Sequence, residues 1–312
     1  MAMGPCLPCS WVKWKLKLLE MHYRRLGMEP RLIELDDGAT VIHCWVPREI
    51  PSEKVADESA VQKPALLLLQ GFGMDGFTGW EHQTHAFVKR FRVYVPDLLF
   101  FGKSFTTTSQ RSEVFQAECM KKMLDVLNVD QVHVLGTSYG GMVAYRMASN
   151  YPKLVNKVVI CSSGIMMDHT TNNRLMELCK IDSVKEILVP KDLKHMRLGM
   201  STATVWRIWA IPSFVLQDMY EWFYQGHMKE KEELVDGMVI GSAGAPPIPK
   251  ITQEVLIMWG TKDNIFDPAL AEALRKHLGD RAQLHMIEGC GHVPQIENPT
   301  EFNARAIKFL LA

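Results

Sequence analysis

Val132–Gly141 reads VHVLGTSYGG. The first four residues, two of them valines, read as a short strand. Gly136-Thr137-Ser138-Tyr139-Gly140 follows, and Met142–Ser149 then takes up helical spacing. A strand passing through a tight turn straight into a helix, with serine at the apex, is the pattern G-x-S-x-G. The turn is strained and its hydroxyl must be exposed. The positions two before and two after the serine therefore cannot carry side chains, and glycine meets both demands. The helix that starts after Ser138 turns its first amides toward the same point and favours negative charge there. Three fixed positions recur by chance in roughly one chain in ten of this length, so the flanking strand and helix carry much of the weight.

Working outward, the same kind of strand recurs. Ala65–Leu69, Val93–Pro96, Val155–Cys161 and Val255–Trp259 are short, nearly uniform apolar runs. Such runs suit strands buried on both faces of a parallel sheet. Helical spacing separates them at His82–Arg90, Glu113–Leu127, Pro268–Leu278 and Pro299–Leu310. The alternation predicts an α/β class with a mainly parallel, twisted sheet flanked by helices. Arg31–Leu35 and Thr40–Val46 flank Asp36-Asp37-Gly38, a hairpin signature. Pro47–Lys63 reads as an exposed loop. From Ile165 to Pro249 no convincing strand occurs, and Met, Trp, Phe and Tyr abound. The expected organisation is an N-terminal helix over 1–30, a core over 31–164 and 250–312, and a helical lid over 165–249.

A serine needs a base. His292 lies in EGCGHVPQ (Glu288–Gln295), a Gly-rich loop just after the strand-like Gln283–Ile287. That places it at the carboxyl edge of the sheet, with Ser138. A carboxylate should orient the base. Asp263 follows a strand and a glycine turn, whereas its rival Asp267, just before Pro268, suits a helix N-cap. An oxyanion needs two backbone amides. Tyr139 supplies one, and Phe72 in Gln70-Gly71-Phe72-Gly73 is the candidate for the other. Alone, those two glycines would read simply as a turn.

Composition adds exclusions. Lys plus Arg equals Asp plus Glu, 35 each. That balance argues against a nucleic-acid partner. Seven cysteines, an odd number scattered through apolar stretches, suit reduced thiols in a cytoplasmic protein. Cys6 and Cys9 have metal-like spacing but no second pair follows. Trp11–Arg25 reads WVKWKLKLLEMHYRR. Trp11, Trp14, Leu18 and Met21 share a helical face, and Lys13, Lys17 and Arg24 lie elsewhere. The stretch is either a helix packed on the rest of the chain or one lying on a membrane surface, with Cys6 and Cys9 then open to acylation. A monomer is expected.

Taken in order, Gln70–Gly73, Pro96–Ser104 (PDLLFFGKS), Gly136–Gly141, Trp259–Asp263 (WGTKD) and Gly289–His292 (GCGH) resemble the α/β-hydrolase superfamily. The PDLLFFG stretch looks most like a plant branch related to monoacylglycerol lipases and carboxylesterases. The resemblance spans Arg31 to Leu310. It implies Ser138, Asp263 and His292 as a triad, Phe72 and Tyr139 as oxyanion amides, and Asp97 as a residue holding its loop. It implies no metal or cofactor. The family usually has His-Gly at the oxyanion turn, where this chain has Gln70-Gly71; glutamine can also donate and accept. The expected reaction is hydrolysis of a carboxylic ester with a hydrophobic group, and Trp206, Trp209, Phe214 and Met219 are candidate substrate contacts. The alternatives are acyl-transfer, lyase or cyclisation chemistry on the same residues, and a small-molecule receptor with a vestigial triad.

Overall fold

The computed structural model of the protein describes residues 10–48 and 63–312. Cys6, Cys9 and most of the expected Pro47–Lys63 loop lie outside those residues. The strands are β1 (Met28–Leu35), β2 (Thr40–Pro47), β3 (Ala65–Leu69), β4 (Arg92–Pro96), β5 (Phe105–Thr106), β6 (Val132–Thr137), β7 (Val155–Cys161), β8 (Glu254–Gly260) and β9 (Ala282–Ile287). They form one sheet in the order β1-β2-β4-β3-β6-β7-β8-β9, with β5 also paired to β2. Pairing is parallel from β4 to β9, while β1, β2 and β5 are antiparallel.

The apolar runs are buried on both faces because helices cover both. Side chains alternate along each strand. Leu67 and Leu69 of β3 face one core with Met120, Met123 and Tyr145. Leu66 and Leu68 face the other, with Trp80, Phe87 and Phe302. The covering helices are α1 (Trp11–Arg25), α2 (Gly76–Gly79), α3 (Glu81–Phe87), α4 (Glu113–Val126) and α5 (Tyr139–Asn150). Beyond the segment between β7 and β8 follow α11 (Ala269–Leu278), α12 (Pro294–Glu297) and α13 (Pro299–Leu311). The expected His82–Arg90 helix is α3, which starts one residue earlier and ends at Phe87. The hairpin strand starts at Met28, earlier than Arg31. Pro30 is admitted because β1 is a sheet edge, where a missing N–H costs no ladder bond.

Between β7 and β8 the described chain forms helices joined by loops, with no strand. It holds α6 (Thr171–Cys179), α7 (Lys185–Leu188), α8 (Leu193–Ala203), α9 (Ser213–Phe223) and α10 (Met228–Asp236). Its return to the core is pinned by Glu113. That fully buried carboxylate accepts from Arg146 Nε and Nη2 at 3.1 and 2.9 Å. It also accepts from the Val239 and Ile240 amides at 2.9 and 3.2 Å.

Helix α1 packs on the rest of the chain, the first of the two expectations for it. Val12, Leu16, Leu19 and Tyr23 are buried, and Tyr23 Oη donates to the Phe77 carbonyl at 2.9 Å. Trp11, Trp14, Leu18 and Met21 point outward. No helix among the described residues is long and apolar enough to cross a membrane. The five described cysteines are all free and buried.

Removing the Glu113 carboxylate would strand Arg146 in the interior together with two amides. Glu113→Ala is expected to cost about 3–5 kcal/mol of unfolding free energy, read by urea denaturation.

Candidate active site

Chain order and space order diverge at β3. β4 lies on one side of it and β6 on the other. Loops leaving the carboxyl ends of β3 and β6 therefore part company and open a crevice, the usual place for a ligand in such sheets. Ser138 stands in it. Its φ is 52° and ψ −120°, a conformation that strains any residue with a side chain. The strain is held by packing. A Cβ on Gly136 would strike the Gly140 carbonyl, and one on Gly140 would strike the carbonyls of Leu69 and Gln70. The Ser138 amide donates to the Cys161 carbonyl at 2.8 Å, and Ser163 Oγ donates to the Ser138 carbonyl at 2.7 Å.

His292 and Asp263 reach the same point from the ends of β9 and β8. His292 Nε2 lies 2.9 Å from Ser138 Oγ, and Nδ1 lies 2.9 Å from Asp263 Oδ2. An ionised carboxylate only accepts, so Nδ1 carries the proton and Nε2 is left to accept from the serine. Asp263 is fixed by its other oxygen, which accepts from the Ile265 and Phe266 amides at 2.9 and 3.0 Å. Asp267 is not in this group; it accepts from the Ala269 amide at the start of α11. The His292 ring packs edge-on against Phe266.

The histidine loop is also tied to the helical segment. His292 N donates to the Ala203 carbonyl at 2.8 Å. Glu297 accepts from Gly291 N at 2.5 Å and from Val205 N at 2.6 Å. Burial pushes the Glu297 carboxyl above its ordinary range, against the pull of those amides.

Phe72 and Tyr139 flank the serine, with rings in edge contact at 5.8 Å. Neither backbone amide has an acceptor among the described residues, so both are free to donate into the cavity. Gln70 is fully buried. Its amide satisfies its surroundings when the nitrogen donates to the Pro96 carbonyl at 3.2 Å and the oxygen accepts from Leu98 N at 2.9 Å. It thereby braces the Gln70–Gly73 turn against the loop after β4. Asp97 holds that loop: it accepts from Gly76 N at 2.8 Å, Lys103 N at 3.0 Å and His43 Nδ1 at 2.8 Å. Asp75 caps the turn at Thr78 N; burial, with Asp97 nearby, pushes its carboxyl from the ordinary 3.8 up to about 6.

A cavity of about 570 Å³ opens over Ser138 and His292. Its walls are chiefly apolar, including Met142, Met196, Met219, Phe223 and Trp206. Trp209 and Phe214 are not among them. At 72% and 70% exposed they face solvent, so the expected contact holds for Trp206 and Met219 only as regards position. Among the described residues no cluster of three or more His, Cys, Asp or Glu is placed to hold a metal.

A family model described as the alpha/beta hydrolase fold matches residues 64–179 and 205–299. The chain belongs to that family. This α/β hydrolase is 27% identical to human monoacylglycerol lipase ABHD6 across 96% of its own length and 89% of the relative. It is 26% identical to a 2-hydroxy-6-oxononadienedioate/2-hydroxy-6-oxononatrienedioate hydrolase of a Pseudomonas species, over 77% and 84% of the two chains. Among solved structures, a bacterial membrane phospholipase A superposes with a TM-score of 0.77 at 22% identity, covering 96% of this chain and 91% of that one. A 2-hydroxy-6-oxo-6-phenylhexa-2,4-dienoate hydrolase from Rhodococcus sp. strain RHA1 gives 0.73 at 20% identity, covering 91% and 100%. At those identities the two structures attest the fold.

Three parts of this α/β hydrolase's site escape a reading of the sequence. Trp11, Val12, Lys15 and Leu16 of α1 line the cavity. Their i, i+4 spacing at Val12 and Leu16 was the available signal. Glu297 and His43 act through backbone and long-range contacts that leave no local pattern.

Two outcomes test the site's construction. Ser138→Gly should be more stable than Ser138→Ala by on the order of 1 kcal/mol in denaturant melts, since both lack the hydroxyl and only glycine relaxes at positive φ. The raised Asp75 carboxyl binds its proton more tightly folded than unfolded. Its contribution is therefore present below pH 3.8 and lost as pH rises through about 6. Asp75→Asn should remove that loss, so the variant's stability advantage should grow between those pH values in parallel thermal melts.

Proposed function

We propose that this α/β hydrolase cleaves a carboxylic ester bearing a hydrophobic acyl or alcohol group, through an acyl-enzyme on Ser138. The observation that carries the reading is the continuous relay from Asp263 Oδ2 through His292 to Ser138 Oγ, with 2.9 Å at each link. His292 Nε2 takes the hydroxyl proton as Ser138 Oγ attacks the carbonyl carbon. The Phe72 and Tyr139 amides donate to the oxyanion that forms. His292 then passes its proton to the departing alcohol and draws one from the water that releases the acyl group. Asp263 keeps the imidazole in the tautomer this requires. The helices between β7 and β8 serve as the lid, excluding water and supplying apolar walls. Affinity with a plant branch rests on the Pro96–Gly102 stretch alone.

The relatives are lipases and esterases on one hand and dienoate hydrolases on the other. The latter act on carboxylates by name. Lys15 is the only lysine or arginine among the described lining residues, and it is paired with Glu81 at 2.9 Å. An anionic substrate would enter this cavity without a free counter-charge, which favours an uncharged ester.

Intact-mass labelling with a fluorophosphonate should add one adduct to the parent and none to Ser138→Ala. Turnover of p-nitrophenyl esters should rise with acyl chain length. Asp263→Asn should lower kcat on the order of 10³–10⁴-fold. An unlabelled parent, under conditions where a control serine hydrolase reacts, would sink the proposal.

A further inference from the structure

Helix α1 has two apolar sides, and the fold uses one. At about 100° per residue, Val12, Leu16, Leu19 and Tyr23 form one stripe and Trp11, Trp14, Leu18 and Met21 the opposite one. The first stripe is buried; the second is 41–59% exposed along its whole length. The neighbouring helix α9 carries exposed aromatics as well. Asp218 on α9 accepts from Ser10 Oγ at 2.5 Å and Val12 N at 2.8 Å, which seats the start of α1 against α9. Phe214 and Trp222 lie one turn before and one turn after Asp218 on the same side of α9, and both are exposed. Trp11 and Trp206 are each about half exposed and also line the cavity. The cavity lining therefore meets the exposed stripe at Trp11.

Scattered exposed apolar residues are ordinary, but a stripe of tryptophan, leucine and methionine along the whole of one helix marks a contact surface. The charges beside it identify the occupant. Lys13 and Lys17 flank the stripe, exposed and with no ion-pair partner among the described residues. Lysine is depleted from protein–protein interfaces, whereas it favours anionic lipid headgroups at the edge of an inserted apolar helix face. Tryptophan, apolar in body with one polar N–H, prefers the same boundary.

We propose that the outer faces of α1 and α9 dock this protein on an anionic lipid surface, with the mouth of the Ser138 cavity turned toward the bilayer. The docking does not depend on the chemistry proposed for Ser138. Ser138→Ala should bind vesicles as the parent does, so either reading can fail alone.

The test is co-sedimentation of the full chain with phosphatidylcholine vesicles, with and without phosphatidylserine. The parent should bind the mixed vesicles far better. Lys13→Glu/Lys17→Glu should weaken that binding by about fivefold or more per lysine. Trp14→Ser/Leu18→Ser should weaken it on the order of tenfold or more. Trp14 and Leu18 do not line the cavity, so hydrolysis of a soluble ester should be unchanged, which also reports that the variant is folded. Brominated lipid should quench parent tryptophan fluorescence, and less so after Trp14→Phe. Equal binding by parent and both double variants would overturn the proposal, as would a parent that binds neither vesicle. Light scattering that shows a parent dimer dissociated by Trp14→Ser/Leu18→Ser, without vesicle binding, would assign the face to a second copy of the chain instead.

Discussion

The contact on which the site depends is backbone against backbone: Gly140, at the start of α5, pressed onto the carbonyls that end β3. That approach packs the first turn of α5 on the end of β3, although Gly140 lies 70 and 71 positions along the chain from Gln70 and Leu69. It holds Ser138 at a φ it would not otherwise adopt. It also sets the Tyr139 ring edge-on to that of Phe72. Strain of this kind persists only where the surroundings over-determine it. Here the surroundings are two parallel strands buried on both faces, so the stiffness of the sheet maintains the geometry of the reactive hydroxyl.

The parts of this arrangement that were legible are those written locally. Uniform runs such as ALLLL at Ala65–Leu69 have few alternatives to a doubly buried strand, and VHVLGTSYGG states strand, turn and helix within ten residues. Asp263 could be preferred to Asp267 because the latter's position before Pro268 already had a use, and the structure gives it that use. What stayed hidden depends on distant partners. His43 reaches Asp97 across 54 positions, and Gln70 takes its meaning from carbonyl and amide groups of the loop after β4. Aromatic richness between β7 and β8 pointed to the cavity in general. It could not say that Trp206 faces in while Trp209, three residues on, faces out.

Helix α1 shows a different limit. Its sequence carries two apolar stripes, and periodicity reports both without ranking them. Which one packs is decided by the groove that receives it: Tyr23 finds the Phe77 carbonyl and Thr84, and Asp218 waits for the first turn. The tryptophan stripe, more conspicuous in the sequence, is the one left outside.

The histidine loop has a mechanical consequence. His292 hangs by its amide from Ala203, at the end of α8, and Glu297 clamps Gly291 and Val205 together. The histidine beside Ser138 is thus suspended from the roof of its own chamber. A roof that swung away as a rigid flap would carry the imidazole off its serine. In such a chamber the position of α8 and the position of the imidazole form a single mechanical variable, set by the bonds at Ala203 and Glu297.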